Sequence, residues 1–287
     1  MYFKCDKYRD FYLSEVKHYV LCNNLKITLS IIRVGDDYAS GVYVKNKVKT
    51  CESVGINVNV FTLPENSTQE KIISVVEKLN EDNSVNGILV QLPLPKNIDE
   101  DKVVNSISPK KDVDCLTHAR MGEFYMSPKL NSIADFSAGC PCTVMGIMSV
   151  IACRLGTKNK KNLNGLSAVV IGRSNIVGRP AAAMLEKLGA TVTLCHSLTP
   201  NIADYTRKAD IIVVAVGKEN FLTVDMVKDG ATVFDIGINR NSEGKVCGDV
   251  AKEVAERADV SAVPGGMGIM TTASVVVSLI DLVEREG

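Results

Sequence analysis

Tyr43 and Lys47 stand four residues apart, and Ser40 lies one turn before Tyr43. On a helix, residues three and four apart share a face. A hydroxyl, a phenol and an amine in a row make an acid/base and stacking set. An amine in a partly closed site holds its proton less tightly and can act as a general base. By spacing alone, however, Lys45, Lys47 and Lys49 read first as solvent lysines. Three other segments carry groups of the right kind. Gly87–Pro95 (GILVQLPLP) puts Gln91 at the carboxyl end of an apolar strand. Open α/β sheets place ligand groups there, although such a glutamine can also pair with loop backbone. Lys111–Asp114 (KDVD) holds two carboxylates in a loop. Asp114 either accepts hydrogen bonds from a ligand's amino groups or secures a turn. In Val263–Thr271 (VPGGMGIMT), Gly265 and Gly266 precede an apolar helix, a pattern that suits close backbone approach to something flat.

A second kind of chemistry is written in Val169–Pro180 (VVIGRSNIVGRP). An apolar strand runs into a turn held between Gly172 and Gly178, and a helix follows with Pro180 in its first turn. Free N–H groups and the helix dipole at such a start favour a phosphate. The spacing is not the common G-x-G-x-x-G, and an ordinary strand–helix turn with a surface Arg173 is the plain alternative. The next strand, Ala190–Leu194, ends in Cys195, His196 and Ser197. An acid there would hold a free ribose diol. Its absence, with Ser197 and Arg173 nearby, suits a 2′-phosphate, so the turn favours NADP over NAD. Ser197 also reads as a turn residue of Ser-Leu-Thr-Pro.

The elements that must position these groups follow from the pattern. Helices are expected at 6–22, 38–54, 67–79 (Thr68 as a cap), 145–155 and 271–286. Strands are expected at 26–34, 57–63, 85–91, 168–171, 190–194, 210–216 and 231–236. Residues 105–140 read as irregular functional loops, and 158–164 as a solvated linker. Apolar strands alternating with helices imply parallel sheets covered on both faces. The 287 residues, 46% hydrophobic, suffice for two modest domains. Lys+Arg and Asp+Glu are 33 each, which gives no basic surplus for nucleic acid. No apolar run reaches the length of a membrane span, and the first residues lack the apolar stretch of a secretory signal. Nine scattered cysteines read as reduced thiols of a cytoplasmic protein. Cys140 and Cys142 are the only close pair, and no metal site is expected.

In this order and spacing, YVKNK, GILVQLPLP, KDVD, PCT, GRSNIVGRP, TVTLCHS, ADIIVVAVG, DIGIN and VPGGMGIMT resemble the bifunctional methylenetetrahydrofolate dehydrogenase/cyclohydrolases, over about residues 31–279. The resemblance implies two α/β domains flanking a cleft. The folate-binding domain would be 1–140 plus 270–287, and a Rossmann-like parallel sheet at 141–269 would bind NADP. It also implies a homodimer. It makes Lys47 the catalytic amine, Tyr43 its partner near the folate, Gln91 the group that positions Lys47, and Asp114 the carboxylate holding the pterin. Ser40, Gly265 and Gly266 fall on the folate side. Gly172, Arg173, Ser174, Gly178, Ser197 and Ile238 fall on the cofactor side. The implied reaction is hydride transfer from 5,10-methylenetetrahydrofolate to NADP, followed by hydrolysis of the methenyl product to 10-formyltetrahydrofolate. Rival readings are a dehydrogenase with impaired hydrolysis, a non-catalytic binding paralogue, and a shikimate-type dehydrogenase of similar shape. The chain departs from the family's pattern at Cys115, where glycine is usual, and at Val144 and Ile269, where proline is usual. If the backbone at Cys115 has positive φ, the side chain costs about 1 kcal/mol.

Overall fold

A computed structural model describes residues 1–128, 139–156 and 162–286. In chain order its elements begin β1 (Tyr2–Phe3), α1 (Asp6–Cys22), β2 (Thr28–Val34), α2 (Tyr38–Ser53), β3 (Asn57–Leu63), α3 (Gln69–Glu81) and β4 (Gly87–Val90). Then come α4 (Glu100–Asn105), α5 (His118–Met126), α6 (Cys142–Gly156), β5 (Ser167–Ile171), α7 (Gly178–Lys187) and β6 (Thr191–Cys195). The last are α8 (Ala203–Thr206), β7 (Ile211–Val214), β8 (Thr232–Asp235), the hairpin β9 (Asn239–Arg240) and β10 (Val246–Cys247), β11 (Asp259–Ser261) and α9 (Met267–Glu286).

The chain divides into two compact units. One holds Met1–Arg9, a segment from Tyr125, and Thr143–Thr271. The other holds Asp10–Phe124, a short piece ending at Cys142, and the chain from Thr272. The first unit is built on a six-stranded sheet, order β1-β11-β8-β7-β5-β6, with every pairing parallel. Its central strands are mostly apolar because helices and loops cover both faces: Val169, Ile171, Ile212, Val214 and Val233 share one core. The Rossmann-like expectation therefore holds. Tyr2 and Phe3 pair with Val260 and Ser261, so the first residues belong to this sheet. Phe3 is fixed there by an edge contact with Phe234 and by the Arg154 guanidinium over its ring.

The second unit has a three-stranded parallel sheet, β3-β2-β4, with β2 in the middle. On one face Ile72, Val76 and Leu79 of α3 pack on Ile32, Val34 and Val90. Thr68 caps α3 as expected, its hydroxyl accepting from Lys71 N at 3.2 Å. On the other face α1, α2 and α9 close a core containing Val16, Val44, Leu29, Val275 and Leu279. By length and composition α9 could cross a membrane, which corrects the expectation that no stretch could. However, 61% of that stretch is buried, and Val275, Val276, Leu279 and Leu282 give their side chains to the core. Within 105–140, α5 replaces part of the expected loop, 129–138 lie outside the described residues, and so does the first part of the linker expected at 158–164.

Candidate active site

Asp37 sets the start of α2: its carboxylate accepts from Ser40 N at 2.7 Å. That phase turns Val44, Lys47 and Cys51 inward together, while Lys45 and Lys49 stay exposed. The three lysines are therefore not equivalent, and Lys47 is the buried one at 9% exposure. Its ammonium donates to Gln91 Oε1 at 3.0 Å. Gln91 follows β4 directly, its backbone N–H bonded to Ile32 O, and its amide donates to Leu92 O at 2.6 Å. The side-chain amide is thereby oriented with its oxygen toward Lys47. Tyr43 and Ser40 are half-buried.

Asp114 is held by its surroundings. Lys111 Nζ donates to the carbonyls of Leu79, Asn80 and Asp82 at the end of α3. Desolvation there lowers the Lys111 pKa. The buried Asp112 carboxylate accepts from Thr117 N at 2.8 Å, and burial pushes its pKa up. Val113 O accepts from Ser278 Oγ of α9 at 2.6 Å and from Cys142 Sγ at 3.3 Å. Burial drives the Cys142 thiol well above its usual range; Asp114, which hydrogen-bonds it, raises it further, while Lys47 opposes. Lys47, Gln91 and Asp114 thus lie in the same unit. Lys111 and Cys142 were given no role from the sequence, and Ser278 was not singled out. A lone serine in the apolar stretch VVVSLIDLV was the available signal for Ser278.

Cys115 has φ +55°, so its left-handed backbone makes the departure from glycine costly. Its side chain is fully buried, with Sγ 3.5 Å from Gly139 O, and burial pushes the thiol up to about 12. Cys115→Gly and Cys115→Ala both remove the thiol, but only glycine relieves the backbone. In urea unfolding the glycine variant is expected to be the more stable of the two by about 1 kcal/mol. Equal stabilities would mean that the turn carries no strain.

The phosphate-type turn lies in the other unit. Gly172 has φ +117°, and a Cβ at Gly178 would lie 1.9 Å from Gly172 O, so α7 starts against the end of β5. Ser174 Oγ accepts from Val177 N at 3.2 Å and holds the turn. Arg173, Ser197 and Ile238 are exposed after β5, β6 and β8, all at the carboxyl edge of the sheet. The loop of Gly265 and Gly266 is in this unit too: Gly265 has φ +95° and its carbonyl accepts from Cys5 N at 2.9 Å. The sequence-predicted residues thus fall into two sets, one in each unit. Among the described residues no group of His, Cys, Asp and Glu could hold a metal ion.

Two family models match the chain. The catalytic domain of tetrahydrofolate dehydrogenase/cyclohydrolase matches residues 5–114, and its NAD(P)-binding domain matches 141–287. The bifunctional protein FolD of Agathobacter rectalis is 44% identical over 90% of this chain and 88% of its own length. The bifunctional FolD methylenetetrahydrofolate dehydrogenase/cyclohydrolase of Campylobacter jejuni superposes with a TM-score of 0.85 at 42% identity, covering 97% of this chain and 95% of that one. The Trypanosoma brucei enzyme, solved with NADP and an inhibitor, gives 0.90 at 31% identity and covers 100% and 98%.

Proposed function

The chain belongs to the tetrahydrofolate dehydrogenase/cyclohydrolase family, and on that premise we propose how its residues divide the work. It oxidises 5,10-methylenetetrahydrofolate with NADP and hydrolyses the methenyl product to 10-formyltetrahydrofolate. NADP, when bound, accepts the hydride. For that step the protein supplies orientation, because the folate nitrogens already stabilise the cation that forms.

On the folate side, Asp114 accepts from the pterin's amino groups and Tyr43 lies along the ring system, with Ser40 in support. Lys47 serves the hydrolytic step: it takes a proton from the attacking water as the methenyl carbon is hydrated. Gln91 holds its nitrogen in place. The observation that carries this reading is the buried Lys47 side chain with its nitrogen 3.0 Å from Gln91 Oε1. A solvent lysine would have neither property. Gly265 and Gly266 belong to the folate-side set by family pattern.

On the cofactor side, the fit rests on the close approach of Gly178 to Gly172, which leaves the α7 N-terminus bare of side chain. Ser174, already accepting from the turn, keeps its own proton for a phosphate oxygen. Arg173 and Ser197 take the 2′-phosphate, and Ile238 contacts the cofactor. A coupled absorbance assay tests both halves. With NADP, reduced cofactor should accumulate without lasting methenyl signal, and NAD should serve poorly. Methenyl build-up would sink the hydrolytic role, and equal use of NAD would sink the 2′-phosphate assignment.

A homodimer and a cytoplasmic location complete the reading. Supporting the first, among the described residues β3 is paired on one side only and exposes Val60 and Phe61, an edge that a second copy would cover. Sedimentation at the mass of one chain would exclude it. All nine cysteines are free thiols and six are fully or almost fully buried, which suits a reducing compartment. Fractionation of cells tests that location.

A further inference from the structure

Two buried aspartates behind the cofactor edge have no part in the roles assigned above. Asp249 is fully buried, and its carboxylate accepts from three successive backbone N–H groups: Val216 at 2.7 Å, Gly217 at 3.1 Å and Lys218 at 2.8 Å. Successive N–H groups turned to one point make an anion-binding concavity. Here the chain fills it with its own carboxylate. The same group accepts from Asn239 Nδ2 at 2.8 Å, and that amide also donates to Gly248 O. One carboxylate thereby ties the turn after β7 to the loop after β8. These are carboxyl ends of parallel strands, where this architecture meets its ligand.

Asp235, at the end of β8, holds the holder. It accepts from Asp249 N at 2.9 Å and from Val250 N at 3.1 Å. Burial pushes it up to about 6 even against these bonds. Two glycines leave room for the pair: a Cβ on Gly237 would lie 2.0 Å from Asp249 Cγ, and one on Gly248 would lie 1.8 Å from Asp235 Oδ2. The clamped turn also bears on the phosphate turn, since Ala215 O would sit 2.3 Å from a Cβ on Gly172.

We propose that Asp249, backed by Asp235, is the positioning residue of the cofactor side, fixing the Val216–Lys218 turn, Ile238 and, through Ala215, Gly172 before NADP arrives. It touches neither reactant. The proposal rests on the NADP assignment above, and hydrolysis of added methenyltetrahydrofolate, which consumes no cofactor, serves as a built-in control for folding. Asp249→Asn places an NH₂ against N–H donors and should release the turn. Calorimetric titration with NADP should give a Kd at least tenfold weaker than wild type, and the KM for NADP should rise likewise, with hydrolysis unchanged. If Asp249→Asn does not fold, Asn239→Ala removes only one donor to the carboxylate and should show the same split at smaller size. Unchanged NADP affinity in a folded variant, or parallel loss of both activities in Asn239→Ala, would overturn the proposal. Failure of the wild-type protein to bind NADP in that titration would instead overturn the cofactor assignment.

Discussion

Lys47→Met is expected to hydrolyse methenyltetrahydrofolate some 10²–10⁴-fold more slowly, the span that a positioned general base contributes. Methionine keeps an unbranched stem of similar volume, so the α2 core face with Val44 and Cys51 stays filled. The amine is lost, and with it the proton acceptor for the attacking water. Gln91 Oε1 loses its donor, which costs about 1–3 kcal/mol where the group is desolvated. Hydride transfer asks nothing of that amine, so NADP reduction should survive and the methenyl absorbance should persist. Wild-type decay of that absorbance would remove Lys47 from the mechanism. Loss of NADP reduction as well would mean that Lys47 also orients the folate.

Gly178→Ala is the second large effect. Its Cβ would sit 1.9 Å from Gly172 O and 2.9 Å from Arg173 N, both backbone atoms that no rotamer change can move. Helix α7 must retreat from β5, which enlarges the turn and turns its N–H groups off their common point. Over-packing of this kind costs about 1–3 kcal/mol. For a domain of this size each kcal/mol lowers the melting temperature by roughly 2–4 °C. NADP affinity should fall by two orders of magnitude or more, while hydrolysis continues. A variant that binds NADP normally would show that the phosphates do not sit at this turn.

Much of the scaffold was legible because its signals are periodic or local. The apolar strands of the two sheets, the Thr68 cap and the turn from Gly172 to Gly178 are all written within a few consecutive residues. What escaped depends on contacts between distant segments. Strand β1 is two residues long and has no period to read; only β11, near the other end of the chain, makes it a strand. Helix α5 carries Gly122 and sits in a run of turn formers, yet Arg120 and Phe124 bury one side of it. Lys47 looked like its neighbours until the Asp37 cap fixed the phase of α2. Asp249 showed no signal at all, since its partners lie on two other loops. The Cys115 expectation succeeded for the opposite reason: left-handed backbone is a property of a single residue.

The pairing of β1 with β11, and the seat of α9 against α1 and α2, bear on the order in which the chain is made. Strand β1 leaves the ribosome long before the residues that receive it, and α1 waits as long for α9. Until the last helix emerges, the carbonyl of Val113 lacks the Ser278 hydroxyl and the core around Leu29 stays open on one side. Neither half can therefore close in step with synthesis. A chain halted before Met267 would carry an unfinished apolar surface of the kind that chaperones bind and aggregates grow from.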